Sequence, residues 1–151
     1  MFIIYLVISS AIVAIDQLVK WGVVQNLALG ESQSVIDQFF SLTYIKNTGA
    51  AWSILEGRMI FFYIITLIAV IGCLIMLYKN LQGSKFLTYG LTFIIAGALG
   101  NFIDRLRLGY VVDMFQTDFI NFPIFNVADM ALCIGVALVF IYAIIDEKKE
   151  Q

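Results

Sequence analysis

Four long apolar segments dominate the pattern of this chain, covering residues of about 2–24, 59–78, 86–103 and 125–145. Each matches the ~20 residues that a helix needs to cross ~30 Å of hydrocarbon, and in lipid a helix satisfies its own backbone polar groups. The pattern therefore predicts an all-α integral membrane protein of four transmembrane helices, a single membrane domain over residues 1–151. Polar residues gather in two loops, about 25–58 and about 104–124. With four spans, both loops fall on one side and both termini on the other. In the first loop Phe40, Leu42 and Tyr44 alternate with Ser41 and Thr43, and Asn47-Thr48-Gly49 follows, which reads as a short strand ending in a turn. In the second, Tyr110-Val111-Val112 is rich in β-formers and Pro123 precedes the last span. A small β-rich cradle lying on the membrane surface fits both. The apolar start has no basic leader and no small-residue cleavage site after it, so it reads as a retained first span.

Composition changes the picture mainly by exclusion. Of 151 residues, 62% are hydrophobic and 13% charged, which leaves no room for a second, soluble domain. The sequence has no histidine, and this removes Ser-His-Asp triads, Cys-His pairs and His-ligated zinc. A net charge of −2 offers no basic patch, so nucleic acid is not an expected partner. Cys73 and Cys133 lie within apolar stretches, where a thiol acts as a small hydrophobe. The short connection between spans two and three carries Lys79 and Lys85, and the tail carries Lys148 and Lys149. The opposite side holds Lys20, Lys46, Arg58, Arg105 and Arg107, so a raw count does not orient the chain. The density of lysine in the tiny loop does, and it places that loop and both termini in the cytoplasm.

Charged groups inside spans cost ~2.5 to 3.5 kcal/mol each at the bilayer centre, so those present need a reason. Asp16 and Lys20 are spaced i, i+4 and read either as a neutralising pair or as contacts for a polar ligand. Ala96 and Gly100 form a small-xxx-small pair suited to close helix packing, with Asn101 and Arg105 one turn apart. These groups read equally as helix packing or as a site in which Arg105 holds carbonyl or carboxylate groups. Asp104 can meet Arg107 at i+3. Asp129 opens the fourth span, where the helix dipole favours an acid, and Asp113 alone reads as a loop acid facing water. Together they suggest more, because the second loop returns Asp113 towards Asp129. Two neighbouring carboxylates share a proton, and such a dyad does acid and base work in one step, hydrolysing a peptide without histidine, serine or metal.

Four strings, Asn47-Thr-Gly-Ala-Ala51, Gly97-Ala-Leu-Gly-Asn-Phe-Ile-Asp-Arg105, Gly109-Tyr-Val-Val-Asp113 and Phe125-Asn-Val-Ala-Asp129, stand in this order on the four spans. In this register the sequence resembles bacterial lipoprotein signal peptidase, or signal peptidase II. The resemblance implies a membrane aspartyl protease that cleaves diacylglyceryl-modified prolipoproteins just before the lipidated cysteine, with Asp113 and Asp129 as the catalytic acids. It implies that Asp16, Lys20, Asn47, Gly49, Asn101, Arg105 and Asn126 contact substrate, that no metal or cofactor is needed, and that the cradle lies over the site. Further expectations are a lipid-modified prolipoprotein and membrane lipids as partners, a monomer, and a bacterial inner-membrane location with the site towards the extracytoplasmic face. Where the family usually has Phe after Gly-Ala-Ala, Trp52 stands here, an aromatic suited to the lipid interface. A proton- or cation-translocating protein is the main alternative from the acids alone. It would spread its carboxylates across the membrane, whereas these gather at one side. A purely structural subunit is the third reading.

Overall fold

The computed structural model describes residues 1–49 and 57–147, the last in backbone only. Ala50, Ala51 and Trp52 of the first loop, and Lys148 and Lys149 of the tail, lie outside the described residues. The element order is α1 (Phe2–Asn26), β1 (Ser32–Ile36), β2 (Phe40–Asn47), α2 (Met59–Lys79), α3 (Lys85–Leu108), β3 (Val111–Thr117) and α4 (Val127–Glu147). All four helices are long and apolar enough to cross a membrane.

Helix α3 is the axis of the bundle. Over its most apolar stretch 56% of residues are buried, against 17% in each of the other three helices, whose apolar faces point outward to where lipid would lie. Glycine makes the α3 to α4 approach possible. A Cβ on Gly135 would sit 2.7 Å from the Gly90 carbonyl oxygen and 2.8 Å from the Ile94 nitrogen, so the two backbones meet with no side chain between them. Gly100 plays the same part towards α1, where a Cβ would come 2.8 Å from Asp16 Oδ2. At the other end of the bundle Tyr5, Leu77, Leu87, Leu91 and Ile95 form an apolar core.

Two expectations about this architecture change. The third span, read as ending near residue 103, continues through Leu108 and stops at Gly109, whose φ of 76° is the left-handed conformation that closes a helix. Asp104, Arg105 and Arg107 therefore belong to a helix and not to the loop. Asp104 does not turn to Arg107 but to Lys20 of α1, at 2.9 Å.

The cradle is a three-stranded antiparallel sheet in the order β1-β2-β3. It rests on the end of α1 through Val23, Leu27, Tyr44, Val112 and Met114. Ser41 and Thr43 of β2 are both buried. Ser41 donates to Asp118 at 2.6 Å, and Thr43 lies 2.7 Å from both the Ser32 hydroxyl and Gln116 Oε1. These cross-strand bonds offset the cost of taking the hydroxyls out of water. β3 leads out of α3 and the chain returns to pair Phe115 with Phe125, just before α4 begins. That return brings the two ends of the second loop together.

Candidate active site

The irregularity between Leu42 and Ile45 shifts the register of β2 against β3, setting Asp113 opposite Ile45 and Asn47 opposite Val111. Asp113 is thus a strand residue only 1% exposed, not a loop acid facing water. Each of its oxygens accepts one hydrogen bond, from Asn47 Nδ2 at 2.9 Å and from Asn126 Nδ2 at 2.6 Å. Asp129 stands in the first turn of α4. Its Oδ1 accepts from Asn101 Nδ2 at 2.7 Å and its Oδ2 from the backbone N–H of Asn126 at 3.2 Å. One residue, Asn126, therefore donates to both carboxylates, which brings the two acids to a single place.

Burial comes first among the causes that raise Asp113, with the charge of Asp129 second, and together they push its pKa to about 6. The two asparagines that donate to it work in the opposite direction. A carboxyl so placed exchanges its proton near neutrality, as an acid–base group must.

Both acids face a cavity of about 560 Å³ between α2, α3 and α4. Asn47, Gly49, Asn101 and Arg105 join them at its polar end, while Ile65, Ala69, Ile94, Ala98 and Leu132 make the remainder apolar. Cys133 also lines it and is exposed, so this thiol is not a packed core group. Arg105 donates from Nη2 to the Gly49 carbonyl at 2.9 Å, and its guanidinium stacks over the Phe62 ring at 4.4 Å. Among the described residues its Nε is buried with no hydrogen-bond partner.

Of the nine residues singled out in the sequence, six line the cavity. Asp16, Lys20 and Asn126 do not, being 1%, 3% and 0% exposed behind its wall. Sequence reasoning missed Gln17, whose Nε2 contacts Asp16 Oδ2 at 3.2 Å, the Gly100 carbonyl at 3.2 Å and Asp104 Oδ1 at 2.9 Å. Its position beside Asp16 on a lipid-spanning helix was the available signal. Phe62 and Tyr63 were also missed. Tyr63 donates to the Arg105 carbonyl at 3.0 Å, which ties α2 to the end of α3.

Comparison with known proteins places this arrangement. Residues 8–145 match the family model described as signal peptidase (SPase) II. The lipoprotein signal peptidase of Enterococcus faecalis is 56% identical over 148 residues, 98% of this chain and 92% of that protein. That of Lactiplantibacillus plantarum is 52% identical, covering 98% and 99%. A solved structure described as "Bacterial membrane enzyme structure by the in meso method at 2.3 A resolution" superposes with a TM-score of 0.92 at 40% identity, covering 97% of this chain and 91% of that one. A pair of acids bridged by one asparagine, on four membrane helices under a three-stranded sheet, thus comes with sequence identity over nearly the whole length, and the chain belongs to the signal peptidase II family.

Proposed function

We propose that the chain is an aspartic endopeptidase that removes the signal peptide from diacylglyceryl-modified prolipoproteins by cutting before the lipidated cysteine, with Asp113 and Asp129 as its acid–base pair. The observation that carries this reading is the sharing of Asn126 by two carboxylates that face one cavity. With one proton between them, the ionised acid takes a proton from water, and the water oxygen attacks the scissile carbonyl carbon. The protonated acid gives its proton to the carbonyl oxygen. In the tetrahedral intermediate the carbon–nitrogen bond then breaks as the amide nitrogen receives a proton from the pair, and the carboxyl product forms. Atoms and charge balance without a metal or cofactor.

The apolar length of the cavity suits the signal helix, which would lie beside α2, α3 and α4 with its scissile bond at the polar end. Asn47, Gly49, Asn101 and Arg105 line the polar end of the cavity and stand where they contact the peptide. The two acyl chains stay in lipid and supply anchorage of ~0.8 kcal/mol per buried methylene, which explains a demand for modified substrate. The protein acts as a monomer in the bacterial inner membrane, with the sheet outside and both termini in the cytoplasm, an orientation supported by Lys79 and Lys85, which flank the short α2–α3 loop. The test is incubation of purified protein with lipidated and unlipidated precursor, mapping the cut. Processing of the lipidated form alone, immediately before its cysteine, is expected. Equal processing of both forms, or none of either, overturns the reading.

A further inference from the structure

Behind the cavity wall lies a cluster that does not face it. Lys20 Nζ is 2.9 Å from Asp16 Oδ2, 2.9 Å from Asp104 Oδ2 and 3.0 Å from Asn101 Oδ1. Three acceptors use all three donors of an ammonium group. Each acceptor then carries the link onward to one of the paired acids. Asp16 Oδ1 accepts the backbone N–H of Ala128 at 2.9 Å, the residue before Asp129. Asp104 Oδ2 accepts the backbone N–H of Val112 at 3.1 Å, the residue before Asp113. The Oδ1 of Asn101 is held by Lys20 and by Asn126 Nδ2, so its own Nδ2 must turn to Asp129. One cation thus stands at the junction of two backbone anchors and one side-chain anchor.

We infer that Lys20 is a positioning residue for peptide hydrolysis, setting the separation and orientation of Asp113 and Asp129 through Asp16, Asp104 and Asn101. This rests on the assignment of those two acids as the reacting pair. Lys20 itself is 3% exposed and does not line the cavity. Misplacing a reacting group by ~1 Å can cost about 10²-fold in rate, so the hub acts on turnover and not on binding.

Two variants separate positioning from charge. Lys20→Met removes one positive charge and the hub. Lys20→Met/Asp16→Asn/Asp104→Asn removes the hub as well, but it takes away a net negative charge and leaves no unpaired buried ion in the cluster, so it is the safer variant to fold. The charged groups around the pair are Asp16 and Lys20 from α1, Asp104 and Arg105 from α3, Asp113 from β3 and Asp129 from α4. If only charge mattered, the acid limb of the pH–rate profile would move up in the first variant and down in the second, with the maximal rate kept. Positioning predicts that both lose about 10²-fold in kcat on lipidated precursor, measured per folded enzyme in detergent, with KM within about threefold of the parent. A rise in KM at unchanged kcat would make Lys20 a substrate contact and overturn the inference. So would a triple variant with full kcat, or a loss of thermal stability alone. Failure of the parent protein to cleave lipidated precursor would instead remove the reading of the pair, before any variant is compared.

Discussion

Asp113 and Asp129 each have both oxygens occupied by a donor, and three of the four donors are asparagine side chains. Uncharged donors hold the carboxylates in place without committing either to full ionisation, as an ion pair would. Asp113→Asn and Asp129→Asn are each expected to lower cleavage of lipidated precursor by about 10²- to 10⁴-fold while the protein still inserts and purifies at the parent level. Turnover near that of the parent would remove the residue concerned from the chemistry. Because the pair works with a single proton, which Asp113 takes up at about pH 6 beside a charged Asp129, cleavage is expected to fall as pH rises through about 6 and that proton is lost, which a pH–rate profile reads directly.

The same group should be visible in stability. Asp113 has its pKa raised from an ordinary 3.8 to about 6 on folding, so between those values the folded chain binds more protons than the unfolded one. Stability is then greatest below about pH 4 and falls as pH rises through 6, by about 3 kcal/mol if this group acts alone. Thermal unfolding in detergent at pH 4.5 and pH 7.5 checks the sign, and Asp113→Asn is expected to flatten the slope. The two acids were legible in the sequence as motif positions. The burial of Asp113 was not, because a run such as Tyr110-Val-Val-Asp-Met-Phe115 looks alike on an edge or in a core, and only pairing with β2 decides.

Among elements, the helices were legible to within a few residues except at the end of α3. Hydropathy treats Asp104, Arg105 and Arg107 as an exit from the membrane, but Asp104 is neutralised by a lysine on α1 and the helix continues. No local pattern holds that information. Strand β1 went unread for another reason. Its sequence, Ser32-Gln-Ser-Val-Ile36, leaves all five residues exposed and is held to the sheet by backbone bonds and the Thr43 to Ser32 contact. The α3–α4 crossing makes a sharper prediction. Gly135→Val is expected to destabilise the protein by about 1–3 kcal/mol, because its new carbon meets the Gly90 backbone. Gly72→Val on α2, where no atom lies within 4 Å, serves as the control and should leave the melting temperature near that of the parent. Equal melting temperatures for both would mean that the two helices do not approach so closely.

For the molecule as a whole, hydropathy gave the number of spans, and charge alone did not orient them. The arrangement of α1 to α4 puts the sheet and the polar end of the cavity together, away from the α2–α3 loop. Orientation is measurable with single cysteines in a Cys73→Ser/Cys133→Ser background. Gln33→Cys and Asn121→Cys are expected to react with a membrane-impermeant thiol reagent in intact cells, and Gln82→Cys only after permeabilisation. The reverse pattern would invert the proposed topology.

The bridge between Phe115 and Phe125 has a consequence for how such a chain can vary. It cinches the second loop at its neck, on the side of the two acids, and although Phe122, Pro123 and Ile124 beyond it still line the cavity, the tip at Phe119 and Ile120 is exposed and stands off from it. Lengthening there, between Phe119 and Ile120, should leave the machinery untouched. A stretch that can grow or shrink at no cost to turnover is where related chains are free to acquire different contacts with the world outside the membrane.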